Sequence, residues 1–243
     1  MHTKRNVGVI LLAGLLLAGC ATMGADGFAE DNNDPFEGAN RVVFDVTLAV
    51  DRAVAKPVAT AYRDVLPVEV RDMVRNFLNN LKSPVIFAND ILQGEADRAG
   101  VTFVRAIVNT GIGLGGLFEV AEEWGYEGHS EDFGQTLAVW GVGEGPYLMI
   151  PLLGPSNPRD LVGRGIDSIF DPLSYVQWGD ESYVPYVRAG VDIIDLRSRN
   201  IETLDDVERT SADFYGAARS LYRQSRENEI NNGMAEIEEL PDF

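Results

Sequence analysis

Apolar side chains recur at helical spacing along much of the chain. Between Glu37 and Lys56 they follow one another at intervals of three and four residues, at Val43, Val46, Val50 and Val54. The segment from Val68 to Leu81 repeats the pattern. Because side chains three and four residues apart share one face of an α-helix, both segments are predicted to be amphipathic helices. Pro57 is expected to interrupt the first of them.

Turn and cap residues mark further helices. The predicted segments are a short helix opened by Ser83 and Pro84 and stopped at Gly94, a helix capped by Asn157 and opened by Pro158, a helix over 182–199 with Pro185 in its first turn, and one long helix from Ile201 to Leu221. No segment alternates apolar and polar residues with a period of two, and no strand–helix–strand order is present. The pattern therefore predicts an all-α fold.

Two stretches are more apolar than an ordinary surface helix. Val101 to Val120 contains only Arg105 and Glu119 as charged residues, and 146–153 contains none. In a soluble protein such stretches are core segments. In a lipid-anchored protein a segment that is apolar on all sides can equally face acyl chains, and the sequence leaves both interpretations open.

The first residues have the pattern of a bacterial lipoprotein signal. Lys4 and Arg5 precede an apolar run from Val7 to Leu17, which ends in small residues before Cys20. The run is shorter than the about 20 apolar residues that cross a bilayer, so a permanent span is disfavoured. We predict cleavage before Cys20 and attachment of lipid to its thiol, and Ala21 favours the outer membrane as destination.

These features divide the chain into four parts. The prediction is a signal peptide over 1–19, a lipidated tether over 20–33, a single helical domain over 34–226 and an acidic disordered tail over 227–243. The mature chain is long enough to bury a sizeable core without disulfides.

The formal net charge of −18 limits the possible partners. A strongly acidic chain is repelled by nucleic acid, and it lacks the basic surface with which peripheral proteins adhere to anionic lipid. Membrane contact is therefore expected to be lipid-anchored or hydrophobic, and nucleic acid is not expected as a partner.

Residues for catalysis or metal binding are scarce. Cys20 is the only cysteine, and His129 is the only histidine after the signal peptide. A zinc site needs several such ligands, and no Gly-x-Ser-x-Gly elbow supplies a hydrolase serine. We predict no enzyme activity, no metal and no cofactor. His129 is expected to be a surface or loop residue, and the acid pairs Glu122–Glu123 and Glu131–Asp132 are expected to be solvated.

Two glycine-rich segments interrupt the helical pattern. Gly111 to Gly116 matches the dinucleotide-binding spacing, but the strand and helix that this motif requires are not predicted around it. These glycines are interpreted as close-packing or flexible backbone. Gly141 to Pro146 is interpreted as a turn or hinge.

Several motifs together resemble the MlaA family, also called VacJ, of outer-membrane lipoproteins that maintain lipid asymmetry. The matching segments, in order, are Asp34 to Arg41, Asn76 to Leu81 with Pro84, Asn89 to Gly94, Asn109 to Gly116, Asp132 to Leu137, Trp140 to Tyr147, and Pro151 to Pro155 with Arg159 and Asp160. Beyond about residue 180 the resemblance extends only to helical character.

The resemblance implies a ring-like bundle of amphipathic helices, embedded in the inner leaflet of the outer membrane, with a central polar channel. The implied function is removal of misplaced phospholipids from the outer leaflet. They would pass to a soluble periplasmic carrier of the MlaC type, with trimeric porins as membrane partners. The alternatives left open are a lipoprotein scaffold that holds porins without transport and a hydrolase that uses His129.

The family-like turn and the glycine segment supply the candidate channel-shaping residues: Asn109, Gly111, Gly113, Gly116, Trp140, Gly141, Gly143, Gly145, Pro146 and Tyr147. Asp34 or a neighbour is expected to cap the first helix, with Pro35 in its first turn.

Overall fold

A computed structural model describes residues 33–175 and 183–233. The predicted signal peptide, Cys20 and the tether up to residue 32 lie outside the described residues, as do 176–182 and 234–243. The predictions for these segments stay predictions.

The described residues are mostly helical, which confirms the all-α prediction. The helices are α1 (Glu37–Val50), α2 (Lys56–Val65), α3 (Val68–Gln93), α4 (Ala96–Gly111), α5 (Val120–Glu123), α6 (Phe133–Val139), α7 (Pro158–Phe170), α8 (Val184–Arg199), α9 (Ile201–Thr210) and α10 (Phe214–Ile230). A π-helical turn (Asp51–Ala55) joins α1 to α2, and a 3₁₀ turn (Pro172–Tyr175) follows α7.

One small hairpin departs from the all-helical pattern. Strand β1 (Leu148–Ile150) pairs antiparallel with β2 (Gly154–Ser156), with Met149 opposite Pro155. Strands of three residues are too short to show a period of two in the sequence. The hairpin is joined to α1 by Asn40, whose amide accepts from the Met149 N–H at 2.9 Å and donates to the Tyr147 carbonyl at 3.1 Å.

Pro57 does not interrupt the first helix, so that prediction was wrong. The π-helical turn lies immediately before it, and the Lys56 N–H bonds to the carbonyl of Asp51, five residues back. A wider turn can accommodate a proline ring that has no N–H to donate. The chain therefore stays helical from Glu37 to Val65.

Pro84 likewise lies inside a helix and does not open one. Helix α3 is continuous from Val68 to Gln93, and Ser83 is buried instead of capping a new helix. The missing backbone hydrogen bond at Pro84 is tolerated because α3 packs along α4 and also contacts α8. Gly94 ends the helix as predicted, in the left-handed conformation with φ of 84°.

The predicted start of α7 is confirmed, whereas the predicted cap of α1 is not. Asn157 accepts a hydrogen bond from the Asp160 N–H at 2.8 Å. No side chain caps α1. Asp34 instead accepts hydrogen bonds from the Tyr215 hydroxyl and from Arg219, because its carboxylate is buried against α10.

The helix predicted over Ile201 to Leu221 is two helices. The backbone becomes extended at Ser211, and α10 begins only after Asp213, whose carboxylate bonds to Arg41 at 2.6 Å. Helix α10 also continues past Glu227, where the tail was predicted to begin. An ion pair of 2.9 Å from Arg226 to Glu229 lies in that last turn.

An aromatic cluster forms the apolar core. Phe44, Tyr147, Met149 and Tyr215 are buried together, and the rings of Phe44 and Tyr215 meet edge to face with centroids 5.6 Å apart. This cluster joins α1, the hairpin and α10.

Outside this cluster many polar side chains are buried and many large apolar side chains are exposed. The largest fully buried side chains of the described chain are all polar: Gln135, Asn89, Asn157, Thr136, Asp90, Ser156 and Ser198. Large apolar side chains lie on the outer surface of most helices. Soluble monomers rarely expose so much apolar surface. None of the described helices is both long and apolar enough to span a membrane.

The two apolar stretches behave differently. On α4 and after it the side chains of Phe103, Ile107 and Ile112 are all more than half exposed, so this stretch faces outward and is not a core segment. In the second stretch Tyr147 and Met149 enter the core cluster, whereas the residues that follow them at the hairpin turn are exposed.

Candidate functional site

A polar cavity of about 760 Å³ lies between α3, α4 and the segment 119–130. Its lining includes charged residues of both signs, several amides and two serines: Arg75, Asn76, Asn79, Asn80, Lys82, Ser83, Ile86, Thr102, Arg105, Asn109, Glu119, Glu122, Gly125, Glu127, Gly128, His129 and Ser130. Cavities of this size accommodate small molecules or parts of larger ones.

Helix α3 has two faces of opposite character. The polar positions between Arg75 and Ser83 line the cavity, whereas Val74, Phe77, Leu78 and Leu81 line an apolar groove of about 500 Å³ toward α8. Residues three, four and seven apart share one face of a helix, which separates the two sets. Helix α3 thus forms a wall between a polar interior and an apolar groove.

Arg105, Glu119 and Glu122 form a compact cluster of charges in the cavity, and the other charges make looser contacts. Arg105 bonds to Glu119 at 2.9 Å and lies 3.9 Å from Glu122. A hydrogen bond with Glu119 raises the pKa of Glu122 above its usual range. Burial would raise the pKa of Glu119 as well, but the hydrogen bonds from Glu122 and Arg105 outweigh it, so that pKa is lowered. Lys82 reaches Asp192 on α8 at 3.3 Å.

Asparagine amides hold the cavity wall together. Asn109 is buried, and its carbonyl oxygen accepts from the Ala121 N–H at 2.9 Å. Asn80 donates to Thr110, and Asn76 donates to the carbonyl of Leu117. The Oδ1 atoms of Asn76 and Asn80 are buried and have no hydrogen-bond partner in the described part of the chain. A buried acceptor left without a donor costs about 1–3 kcal/mol.

His129 lies at the edge of the cavity, beside buried carboxylates. Its Nε2 is 2.9 Å from Asp90, which also accepts from Thr102 at 2.7 Å. Arg98 donates to Glu131 at 2.6 Å. Asp90, His129 and Glu131 are close enough together to hold a metal ion. Since Arg98 already brings a positive charge to this cluster, its carboxylates are satisfied without one. His129 is a loop residue as predicted, but Asp90 holds it in place.

The prediction that Glu131 and Asp132 are solvated was wrong. Glu131 is buried, and burial raises its pKa. Asp132 caps α6 by accepting from the Gln135 N–H at 2.9 Å, and it bonds to Arg226. Glu131 is buried and Asp132 is partly buried because a cation reaches each of them from another helix, which a local pattern does not reveal. Glu122 and Glu123 are exposed as expected.

Comparison with known proteins decides the family. A family model described as "MlaA lipoprotein" matches residues 32–229. The chain belongs to the MlaA lipoprotein family. The family resemblance inferred from the sequence motifs is therefore confirmed.

Relatives in this family match the chain over nearly its full length. An "Intermembrane phospholipid transport system lipoprotein MlaA" from Shigella flexneri is 33% identical over 244 residues, which cover 98% of this chain and 94% of the relative. A protein of the same name from Haemophilus influenzae is 30% identical and covers 100% of this chain and 97% of its own length.

A solved structure has the same fold. It is described as "Structural basis for maintenance of bacterial outer membrane lipid asymmetry", and it matches with a TM-score of 0.74 and 33% identity. The match covers 82% of this chain and 99% of the solved chain.

The glycine segment of this MlaA-family chain follows the cavity-lining residue Asn109. A methyl group on Gly113 would collide with backbone atoms of Asn109 and Phe118, and one on Gly116, where φ is 93°, would lie 2.7 Å from Cγ of Asn80. Gly111, the last residue of α4, has open space around it.

The other candidate segment, Trp140 to Tyr147, lies away from the cavity lining. Trp140 donates its indole N–H to the Leu92 carbonyl at 3.1 Å, and Tyr147 is in the core cluster. Gly141 and Gly145 adopt positive φ angles of 84° and 72°, as a turn requires. Gly143 has open space around it, and Pro146 is half-buried next to Tyr147. A role of either segment in shaping a channel stays a prediction.

The sequence interpretation missed most of the cavity residues. Arg75 and Lys82 were not singled out, because each is an ordinary charged residue on a predicted helix, and Glu122 was interpreted only as a solvated acid. A signal was present for α3, where the polar residues between Arg75 and Ser83 share one face opposite the apolar stripe.

Proposed function

We propose that this chain is the outer-membrane component of a phospholipid transport system, which takes misplaced phospholipids from the outer leaflet and passes them toward the periplasm. The names of its relatives support this function. The observation that carries it is the combination of a polar cavity with many large apolar side chains exposed on the exterior.

The exterior supports a membrane-embedded position. Along α1, the π-helical turn and α2, every fourth residue is a valine that is at least 38% exposed: Val42, Val46, Val50, Val54 and Val58. In a regular α-helix a spacing of four drifts around the axis, because one turn takes 3.6 residues. The wider π-helical turn counteracts this drift and keeps the valines on one side. An apolar row of this kind suits the boundary between headgroups and acyl chains.

The polar cavity supplies a path for headgroups. Moving a charged headgroup through hydrocarbon would cost several kcal/mol or more, whereas charged and amide side chains can replace its water. Acyl chains can stay in or near the bilayer while the headgroup passes. We expect the segments 109–116 and 140–147 to shape this path and its entrances. No covalent bond needs to be broken, so we expect no enzyme activity.

Lipid on Cys20 is proposed to deliver the protein to the periplasmic face of the outer membrane. A periplasmic lipid carrier is the proposed recipient, and a trimeric porin is the proposed neighbour in the membrane. A Cys20→Ser precursor should be mislocalised when cell membranes are fractionated. Efficient insertion of that variant into the outer membrane would contradict a delivery role for the lipid.

The function is tested in cells that lack the gene. Outer-leaflet phospholipid, labelled with an amine reagent that does not cross the outer membrane, should rise on deletion and fall when the gene is restored. Unchanged outer-leaflet phospholipid, with loss of porin association only, would favour the scaffold alternative. Lipid turnover that disappears in His129→Ala would favour a hydrolase.

A further inference from the structure

Several charges that line the polar cavity are loosely paired, although Arg105 and Glu119 in the same lining bond at 2.9 Å. Arg226 and Asp132 approach to 2.6 Å, as do Arg98 and Glu131. The nearest carboxylate to Arg75 is 3.8 Å away, at Asp72. The protein therefore satisfies its buried ions internally but leaves part of the charge in the cavity wall available.

The available cations lie along one helix. Lys82 donates one hydrogen bond of 3.3 Å to Asp192 on α8, and its ammonium group has three N–H donors. Arg75 lies seven residues earlier on the same polar face of α3. Seven residues correspond to about 10 Å along a helix. A phosphate can thus contact one of these cations at a time, or move from one to the other.

The available acceptors come mainly from the segment that faces α3. Glu122 has its nearest cation at 3.9 Å, and Glu127 has no cation within ion-pair distance in the described part of the chain. Such acceptors suit a ligand that brings its own N–H donors.

We propose that the cavity binds a zwitterionic phosphoethanolamine-type headgroup, with its phosphate on Lys82 or Arg75 and its ammonium group on Glu122 or Glu127. This inference rests on the proposed function and names the lipid class that the same cavity prefers.

Charge balance supports this preference. Among the lining residues, Arg75, Lys82 and Arg105 carry positive charge, and Glu119, Glu122 and Glu127 oppose them. A net-anionic phosphoglycerol headgroup would pair with the cations but would leave the carboxylates without a positively charged partner. A zwitterion brings an opposite charge to the cations and to the carboxylates. More of the free-energy cost of removing these groups from water is therefore compensated.

Water-soluble headgroups separate this preference from general contact with lipid. The full-length lipoprotein, purified in mild detergent, is titrated calorimetrically with glycerophosphoethanolamine, glycerophosphoglycerol and inorganic phosphate. We expect glycerophosphoethanolamine to bind about tenfold more tightly than the other two, the ratio that one charge-assisted hydrogen bond supports. Inorganic phosphate binding as tightly would assign the site to free phosphate and overturn the proposal.

Matched variants locate the preference. Glu122→Gln and Glu127→Gln should each reduce the preference severalfold, and Lys82→Gln should weaken binding of both headgroups. Glu123→Gln is the control, because Glu123 is adjacent and exposed but does not line the cavity. All four positions are on the surface or in a loop, and circular dichroism checks that each variant is folded.

Three results would overturn the proposal: equal binding of the two headgroups, no binding of either, or a preference that survives both glutamine variants at 122 and 127. The proposed function is judged separately, by outer-leaflet phospholipid in cells. If restoring the gene lowers that phospholipid but the headgroups bind equally, transport stands and the headgroup preference fails. If restoring the gene has no effect, the proposed function itself fails.

Discussion

The guanidinium group of Arg226 donates two hydrogen bonds of 2.6 Å to the carboxylate of Asp132. Its Nε also lies 2.8 Å from Asp160. Asp132 caps α6, and Asp160 lies in the first turn of α7, so one buried arginine from α10 joins the beginnings of two other helices. The free energy of folding should therefore depend strongly on this residue.

Replacing Arg226 with Met should lower the free energy of unfolding by about 3 kcal/mol, because the partly buried Asp132 loses its cation and the buried Asp160 keeps only Arg159, at 3.0 Å. Urea unfolding in detergent measures this change. Arg209→Met is the control, since Arg209 and its partner Asp206 are largely exposed, and it should cost less than about 1 kcal/mol. Equal losses in the two variants would contradict a structural role for the buried ion pair.

Two glycines of α7 should respond in opposite directions to the same substitution. A methyl group on Gly163 would lie 2.8 Å from Cα of Gly134 on α6, whereas Gly165 has open space around it. Gly163→Ala should cost about 1–3 kcal/mol through overpacking. Gly165→Ala should stabilise by about 0.5–1 kcal/mol through helix propensity. Thermal melts of both variants check this, and a stable Gly163→Ala would show that α6 and α7 do not pack so closely.

Asp167 predicts an unusual pH dependence. Burial raises its pKa to about 6, although it accepts hydrogen bonds from Asn89 and from the Phe133 N–H. Between about pH 4 and pH 6 the folded chain keeps this proton while the unfolded chain has lost it. The contribution to stability is therefore full below about pH 4 and is lost as the pH rises through about 6.

The variant Asp167→Asn removes this titration. Relative to the wild type, its free energy of unfolding should increase by about 1–2 kcal/mol between pH 4 and pH 7, after allowance for solvent screening. Urea unfolding across this range tests it, with the exposed Asp64→Asn as control. If the difference in free energy of unfolding between Asp167→Asn and the wild type stays constant from pH 4 to pH 7, the pKa of Asp167 is not raised.

The exposed valines predict where the bilayer lies. Once Cys20 carries lipid it has no free thiol, so Val54→Cys can be labelled selectively with a nitroxide in the membrane-bound protein. We expect this label to be accessible to oxygen and protected from a water-soluble nickel complex, because Val54 belongs to the apolar row. A label at Glu123→Cys should show the reverse. Equal exposure of both labels to the nickel complex would place the valine row in water.

Much of the helical architecture could be predicted from local patterns. Amphipathic spacing located α1 and α3, and the Asn157–Pro158 start of α7 followed from cap chemistry alone. The errors at Pro57 and Pro84 share a cause. A proline removes one hydrogen bond locally, but a π-helical turn or packing against neighbouring helices can compensate, and neither is visible in a short window of sequence.

The site was less predictable because it depends on distant partners. Asp132 looks like any other acid until Arg226 is brought beside it by the fold. The glycine segment was correctly associated with unusual packing, yet only Asn109 of the candidate residues lines the cavity. Polar residues on one face of a helix are equally typical of a face exposed to solvent and of a face that lines a cavity. The pattern on α3 therefore indicates a cavity only once the segment opposite α3 is known.

The central claim is that phospholipid headgroups pass through the polar cavity of a membrane-embedded protein. Asn79 lines this cavity and is exposed to it, so Asn79→Trp should obstruct the path without disturbing buried contacts. The control is Glu123→Trp, outside the lining. The most direct measurement is outer-leaflet phospholipid in cells that carry each variant at equal membrane abundance. We expect outer-leaflet phospholipid to stay as high with Asn79→Trp as with gene deletion, and to return to the wild-type level with Glu123→Trp. Full restoration by Asn79→Trp would show that headgroups do not need this cavity.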